Sequence, residues 1–201
     1  MIRIAICVPA RDTVHAGFAL SLAKISSYLT KENIEHTILF NLGSVIPQQR
    51  NTLVDEALEW NATHILWLDS DMHLPASTAV ALLSHNKDIV AAAYSTRVAP
   101  YRSTAFCDPD NLDIRLQEKT GLHRVWGVGM GCMLVSTQVY KNLGKPWHQY
   151  LYNLDTQDLS GEDIYFCKCA NDAGIEIYVD AELSNNIAHY GTKSFRLSNT
   201  Q

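Results

Sequence analysis

The hydrophobic positions of the first 94 residues follow two different spacings in turn. Short, mostly apolar runs predict buried β-strands at residues 2–8, 35–40, 64–68 and 88–94. Between them, apolar residues recur at helical spacing, which predicts helices over residues 17–32 and 47–60 and a further helix from Pro75. Strands that alternate with helices predict an α/β fold with right-handed crossovers, in which helices cover both faces of a mostly parallel central sheet.

The alternation ends after Tyr94, and residues 95–120 have an irregular pattern. The stretch VWGVGMGCMLVS, residues 125–136, then predicts a strand interrupted by three glycines, followed by a second strand.

A last helix and strand are predicted near the C-terminus. Ser160 has the chemistry of an N-cap for a helix over residues 160–173, and residues 175–179 predict a final strand. The chain shows no internal repeat, low-complexity tract or linker. We therefore expect a single domain over residues 1–201.

Composition and charge exclude some partners. The 201 residues carry a formal net charge of -5, so no basic face for nucleic acid is expected.

The five cysteines form no regular disulfide framework, which favours a reducing compartment. Cys167 and Cys169 would point about 200° apart on a helix, so they are predicted to be buried thiols rather than a pair of metal ligands.

The chain is expected to be cytoplasmic and not inserted in a membrane. Its start, MIRIAICVPARD, lacks the long apolar stretch of a signal peptide. No window approaches the roughly 20 apolar residues that a bilayer-spanning helix needs.

In the motif LDSD, a predicted buried strand is followed directly by two acidic residues, Asp69 and Asp71. Alternate residues of a strand point the same way, so both carboxylates are predicted to face one space. Hard oxygen ligands at that spacing suit a divalent cation that in turn binds phosphate oxygens. The alternative is that one aspartate caps the following helix and the other is solvated.

Three further signals follow along the chain. In SGED, Glu162 and Asp163 begin a helix, where a carboxylate either accepts a proton from a hydroxyl nucleophile or simply complements the helix dipole. In NNIAHYG, His189 either completes a metal site or is a surface histidine. The glycines of GVGMG permit a close backbone approach to a ligand, but equally permit bulges and tight turns.

In this order, CVPARD, LDSD, the glycine-rich segment, GED and the late histidine resemble a small GT-A glycosyltransferase of the broad family 2 type. The resemblance covers nearly the whole chain. It implies a single Rossmann-like GT-A domain with a small mixed sheet near the acceptor side, a nucleotide-binding half over residues 1–94 and an acceptor- and sugar-binding half over residues 95–201. It also implies a nucleoside-diphosphate sugar donor, with UDP favoured by family frequency, a glycan or other hydroxyl acceptor, and Mn²⁺ or Mg²⁺ as cofactor.

The resemblance also implies roles for individual residues. Asp71 and His189 would bind the metal, and Asp69 would bind the metal or the ribose. Asp163 would be the general base of an inverting enzyme, with Glu162 beside it at the acceptor. The residues implied at the nucleotide are Pro9, Ala10, Arg11, Asp12, Asn41, Arg50, Asp69 and Ser70. Those implied at the sugar and acceptor pocket are Trp126, Gly129, Met130 and Gly131.

Several features of the chain narrow the resemblance or keep alternatives open. The Q-x-x-R-W motif of processive synthases is absent. The first strand also lacks the acidic residue that usually follows a P-x-x-N loop in this family. A nucleotidyltransferase would show a glycine-rich loop with a basic residue after the first strand, which VPARDTVHAGF does not supply. A phosphatase of the D-x-D type would place its aspartates after the first strand, whereas LDSD follows the third predicted strand. A retaining transferase and a degenerate nucleotide-sugar-binding module stay open.

Overall fold

The structure, a computed structural model, describes residues 1–108, 114, 116, 119–152, 157 and 159–191. The strands are β1 (Arg3–Ala10), β2 (Glu35–Leu42), β3 (His64–Leu68), β4 (Met72–His73), β5 (Ile89–Ala91), β6 (Ala105–Phe106), β7 (Leu122–Val125), β8 (Gly127–Val128), β9 (Cys132–Ser136), β10 (Leu151–Tyr152), β11 (Leu159–Ser160), β12 (Ile177–Asp180) and β13 (Ala188–His189). The helices are α1 (Ala16–Lys31), α2 (Ile46–Glu59), α3 (Thr78–Ser84), α4 (Thr137–Leu143), α5 (Glu162–Asp172) and α6 (Ala181–Asn186).

Within the described residues, seven strands form the central sheet in the order β2-β1-β3-β9-β5-β12-β7. Five of them run in one direction, and β9 and β7 run against their neighbours. Three two-stranded antiparallel sheets, β10-β11, β13-β4 and β6-β8, accompany the central sheet. The α/β fold with a mostly parallel sheet is confirmed.

The inner strands of the sheet, such as β1, are apolar on both sides, as expected where helices cover both faces of a sheet. In β1, Ile4 and Ile6 belong to the cluster that contains Phe18 and Ile25 of α1. The alternate residues Ala5 and Cys7 belong to the opposite cluster, with residues of α2, α4 and α5. This arrangement leaves the carboxyl ends of the parallel strands free, and polar side chains gather there.

Two of the predicted elements in the first half differ from the observed ones by three residues at one end, and the others differ by at most two. The helix predicted from Pro75 begins at Thr78. The strand predicted over residues 88–94 is shorter, Ile89–Ala91, because Tyr94 exchanges backbone contacts with Thr104 instead of continuing along the sheet: its N–H donates to the Thr104 hydroxyl, and its carbonyl accepts from the Thr104 N–H.

The predicted N-cap of the last long helix is wrong. Gly161 is the N-cap of α5, and Ser160 ends β11, where it pairs with Leu151. The Asp163 carboxylate accepts the N–H of Ile164 in the first turn of this helix, so a donor at the helix start is bound by that side chain rather than by Ser160.

The strand predicted over residues 175–179 begins later, at Ile177, because the N–H of Ile175 still bonds to Ala170 at the end of α5. Helices α4 and α6 have no counterpart in the sequence prediction. Cys167 is buried as predicted, whereas Cys169 is partly exposed. None of the helices in the described part of the chain has the length and apolar character needed to cross a bilayer.

Candidate active site

The ends of β1 and β2 are joined by one buried side chain, Gln49 of α2. Its amide nitrogen donates to the carbonyl of Ala10 at 2.6 Å and to that of Asn41 at 2.7 Å. These two hydrogen bonds hold the strand ends from which the predicted nucleotide-binding loop, the loop after β1, begins. Gln49 is 2% exposed, so its bonds are shielded from water.

The LDSD turn is fixed on both sides by backbone bonds. The N–H of Asp69 donates to the Gly131 carbonyl at 3.1 Å, and the N–H of Met72 donates to the Asp69 carbonyl at 3.2 Å. Strand β4 then pairs with β13 so that Met72 lies opposite His189. This pairing brings a histidine from the end of the described chain to the acidic turn.

Asp71 has a histidine and an arginine as partners. Its Oδ1 lies 3.2 Å from His189 Nε2, and its Oδ2 accepts from Arg97 Nη1 at 2.7 Å. Burial acts to raise the pKa of the Asp71 carboxyl, but the bond to His189 and the charges of His189 and Arg97 outweigh it, so the pKa is lowered. The carboxylate is therefore the stable form and is available as a ligand.

The donor atoms of Asp71 and His189 fit one divalent ion. Two neighbouring ligands of an octahedral ion with bonds of about 2.1 Å lie roughly 3 Å apart, close to the 3.2 Å between Asp71 Oδ1 and His189 Nε2. A carboxylate oxygen with an imidazole nitrogen suits a first-row ion such as Mn²⁺.

Asp69, the other predicted metal ligand, accepts a hydrogen bond from Arg50 at its Oδ1. No group of three or more His, Cys, Asp or Glu side chains with the arrangement of a metal site occurs among residues 1–108, 114, 116, 119–152, 157 and 159–191.

Arg50 is a buried link between the acidic turn and the start of α5. Its Nη2 donates to Asp69 Oδ1 and its Nε to Glu162 Oε1, both at 3.0 Å, and its side chain is 4% exposed. Burial raises the pKa of the Asp69 carboxyl, and the charge of Arg50 opposes that shift. Arg50 Nη1 is buried without a partner in the described structure. The two acidic motifs, far apart in sequence, therefore share one guanidinium.

Asp163 has a pKa suited to a base near neutral pH. Burial, followed by the charge of Glu162, raises the pKa of its carboxyl to about 6. A Cβ at Gly161 would lie 2.6 Å from Asp163 Oδ1, so the small residue before the helix is needed for this side-chain position. A carboxylate that is proton-free above about pH 6 can accept a proton from a hydroxyl.

Tyr94 fills the space beside the glycine-rich segment. Cβ atoms placed on Gly129 and Gly131 would lie 2.7 Å and 2.8 Å from atoms of the Tyr94 side chain. Met130, between them, is 1% exposed. The two glycines are therefore explained by the packing of the tyrosine, whatever further role the segment has at a ligand.

Alanine at Gly131 is expected to destabilise the fold by about 1–3 kcal/mol, because its Cβ would overpack against Tyr94. Urea unfolding measures this change. The matched control is Gly127→Ala, whose Cβ would meet Cys167 and Ile164 at an ordinary 3.6 Å. Equal unfolding free energies for the two variants would contradict the packing described here.

The predicted nucleotide residues fall into two groups. Pro9 and Ala10 are buried at the end of β1, and the Ser70 carbonyl accepts the N–H of His15 at 2.9 Å. Arg11 and Asp12 are exposed on the loop that follows β1. Their side chains are open to solvent.

The backbone of Trp126 is bonded to a residue near the end of α5. The Trp126 carbonyl accepts from Asn171 at 2.7 Å. Asn171 lies eight positions after Asp163 on α5, a distance of roughly 12 Å along a helix.

Three residues at the site were not found by sequence reasoning. Tyr94 lies in an apolar run and has the pattern of a core residue, and Arg97 lies in the irregular segment. Gln49 has a signal in hindsight: it is a polar residue on the buried side of a predicted helix, next to Arg50.

Comparisons with known proteins identify the fold. No protein-family model matches the chain, and no curated protein sequence matches it. Among solved structures, the chain is similar to A197 from STIV, with a TM-score of 0.66 and 17% identity over 99% of this chain and 92% of that one.

It is also similar to a Drosophila β1,4-galactosyltransferase 7 mutant in complex with manganese, UDP-Gal and xylobiose. The TM-score is 0.55 and the identity 15%, over 90% of this chain and 65% of the galactosyltransferase chain. At these identities the likeness shows a fold of the GT-A type.

Proposed function

We propose that this protein is a metal-dependent glycosyltransferase that moves a sugar from a nucleoside-diphosphate sugar to an acceptor hydroxyl. The observation that carries the proposal is the arrangement at the carboxyl ends of the strands. An aspartate–histidine pair suited to a cation is one part of it, and a carboxyl with a pKa of about 6 is the other. Arg50 joins the acidic residues beside each of them.

The fold supports the same proposal. The galactosyltransferase of similar fold was solved with manganese, UDP-Gal and xylobiose, which are a cation, a nucleotide sugar and a saccharide. UDP is the favoured nucleotide on this likeness and on family frequency.

On the donor side, Asp71 and His189 would hold Mn²⁺ or Mg²⁺. When bound, the ion would offset the negative charge of the diphosphate leaving group. The loop after β1, with Asn41 and the Asp69–Ser70 turn, would hold the nucleoside, and the Gln49 bonds keep that loop in place.

On the acceptor side, Asp163 would take the proton of the attacking hydroxyl, with Glu162 beside it to orient the acceptor. The hydroxyl oxygen forms a bond to the anomeric carbon, and the bond from that carbon to the diphosphate breaks. The electron pair leaves with the diphosphate, and the proton is left on Asp163. Attack from the face opposite the leaving group inverts the anomeric configuration.

Turnover is expected to fall about tenfold per pH unit below pH 6, because Asp163 accepts a proton only as the carboxylate. The charge of Glu162 is one of the causes that raise the pKa of Asp163 to about 6, so Glu162→Gln should move this acid limb to lower pH. A pH profile of kcat/KM measures both effects.

The role of Asp163 as the base has its own control. Asp163→Asn should lose nearly all turnover and still bind the nucleotide. A retaining enzyme would keep substantial turnover in this variant, and a profile that stays flat from pH 4.5 to 7 would contradict a base with this pKa.

A thermal-shift panel tests the function as a whole. Nucleoside diphosphates and nucleotide sugars are added with and without Mn²⁺, since a ligand of the folded state raises apparent stability by mass action. We expect a shift that requires the metal and is largest for one base, followed by transfer from the matching donor. Metal-dependent binding without transfer or hydrolysis would instead identify a binding module.

A further inference from the structure

Tyr94 is a buried phenol to which the proposed reaction assigns no part. It follows β5 at the carboxyl end of the sheet and is 7% exposed. Burial, followed by the negative charges of Asp69 and Asp163, holds the pKa of its hydroxyl well above the usual value. The hydroxyl is therefore protonated and lies within the influence of both carboxylates.

The Tyr94 side chain is held in one position. Its hydroxyl oxygen accepts the N–H of Gly131 at 3.2 Å, and its ring lies edge-on to the ring of His189 at 5.1 Å. Its backbone N–H donates to the Thr104 hydroxyl at 3.1 Å. The absence of side chains on Gly129 and Gly131 makes room for the ring. A group fixed in this way loses little entropy when it binds a ligand.

The proton of this hydroxyl has no acceptor within the described part of the chain. A phenol has one donor and two acceptor positions, and within the described residues the Tyr94 hydroxyl uses only an acceptor position, toward Gly131. A buried donor without a partner costs free energy, so the site is completed when a ligand supplies an oxygen.

We infer that Tyr94 donates this hydrogen bond to a hydroxyl oxygen of the donor sugar and thereby helps to select that sugar. The inference rests on the proposed function. A sugar hydroxyl is favoured over a diphosphate oxygen because the negative charges of Asp69 and Asp163 act on the Tyr94 hydroxyl more strongly than the positive charge of Arg50, and a neutral acceptor is not repelled there.

The test is a set of donors that each lack one sugar hydroxyl, assayed with the wild type and with Tyr94→Phe. For the wild type, one deoxy donor should lose about tenfold in kcat/KM, the size expected for one hydrogen bond. Tyr94→Phe should lose about tenfold with the intact donor and show no further loss with that deoxy donor. UDP, assayed as a competitor, should bind both proteins within about twofold.

Tyr140→Phe is the matched control. Tyr140 is also buried, and its hydroxyl accepts an N–H, from Trp67 Nε1 at 2.7 Å. This variant loses a comparable buried bond outside the site, and it should keep the wild-type preference among donors. It separates a loss of stability from a loss of sugar recognition.

Three results would overturn the inference. One is a Tyr94→Phe enzyme with the full wild-type discrimination. Another is a variant whose weakened binding appears with UDP itself. The third needs no variant, and therefore no folded mutant: a wild-type enzyme that accepts every deoxy donor within about twofold. In each of these three results the wild-type enzyme still transfers sugar. If the proposed function itself were wrong, the wild-type protein would neither bind a nucleotide in the presence of metal nor transfer sugar.

Discussion

Asp71→Asn is expected to lower kcat/KM for sugar transfer by about 10²–10³-fold, the loss typical when one group that stabilises the charge of a transition state is removed. Asparagine keeps the shape of the side chain but is a poorer ligand for a hard cation. The affinity for Mn²⁺ in the presence of UDP should fall with the activity. Calorimetry and a radiolabelled transfer assay measure the two quantities.

Asp172→Asn is the matched control for this substitution. Asp172 is an exposed aspartate that pairs with Lys168 on the outside of α5. Its loss should leave both metal affinity and turnover within about twofold, since exposed ion pairs contribute little. Full turnover in Asp71→Asn would show that this carboxylate takes no part in the reaction.

Arg50→Met is expected to destabilise the protein by about 3–5 kcal/mol, because removing one partner of a buried ionic group leaves the other charges uncompensated. The charges concerned are the carboxylates of Asp69 and Glu162, which Arg50 bridges at 3.0 Å. Methionine keeps much of the apolar volume, so the loss reports the charge and the hydrogen bonds. Guanidinium unfolding measures the change.

Glu162→Gln in the Arg50→Met background provides the control. Neutralising one of the two carboxylates should recover part of the lost free energy, and in the wild-type background the same substitution should be destabilising. A double-mutant cycle gives the coupling between the two positions. Additive effects would mean that the ion pair contributes nothing to the link between the acidic turn and α5.

Much of the sheet was predictable because a strand and a helix leave different periodicities. Strand β3 has the predicted bounds, and α2 differs by one residue at each end. The direction of β9 was not predictable, because CMLVS is an apolar run whichever way it crosses the sheet. Its antiparallel position between β3 and β5 depends on long-range pairing. The cap of α5 was misassigned because Ser160 is used by a strand pair that no local pattern shows.

The candidate site was predictable where residues follow a strand end and hidden where partners meet through the fold. Asp69 and Asp71 lie at the sheet edge that the strand pattern predicts. That Arg50 binds Glu162, 112 positions away, follows only from the packing of α2 near the start of α5. Tyr94 was hidden for another reason: a tyrosine after three alanines has the pattern of core, and its hydroxyl gives no periodic signal.

The most direct test of the central claim is a crystal of the wild-type protein soaked with MnCl₂ and UDP, with data collected for the anomalous signal of manganese. We expect one anomalous peak within about 2.3 Å of Asp71 Oδ1 and His189 Nε2, with the diphosphate of UDP bound to the same ion and Arg97 displaced from Asp71. Ordered UDP without a peak beside Asp71 and His189, or a peak held by other residues, would contradict the account.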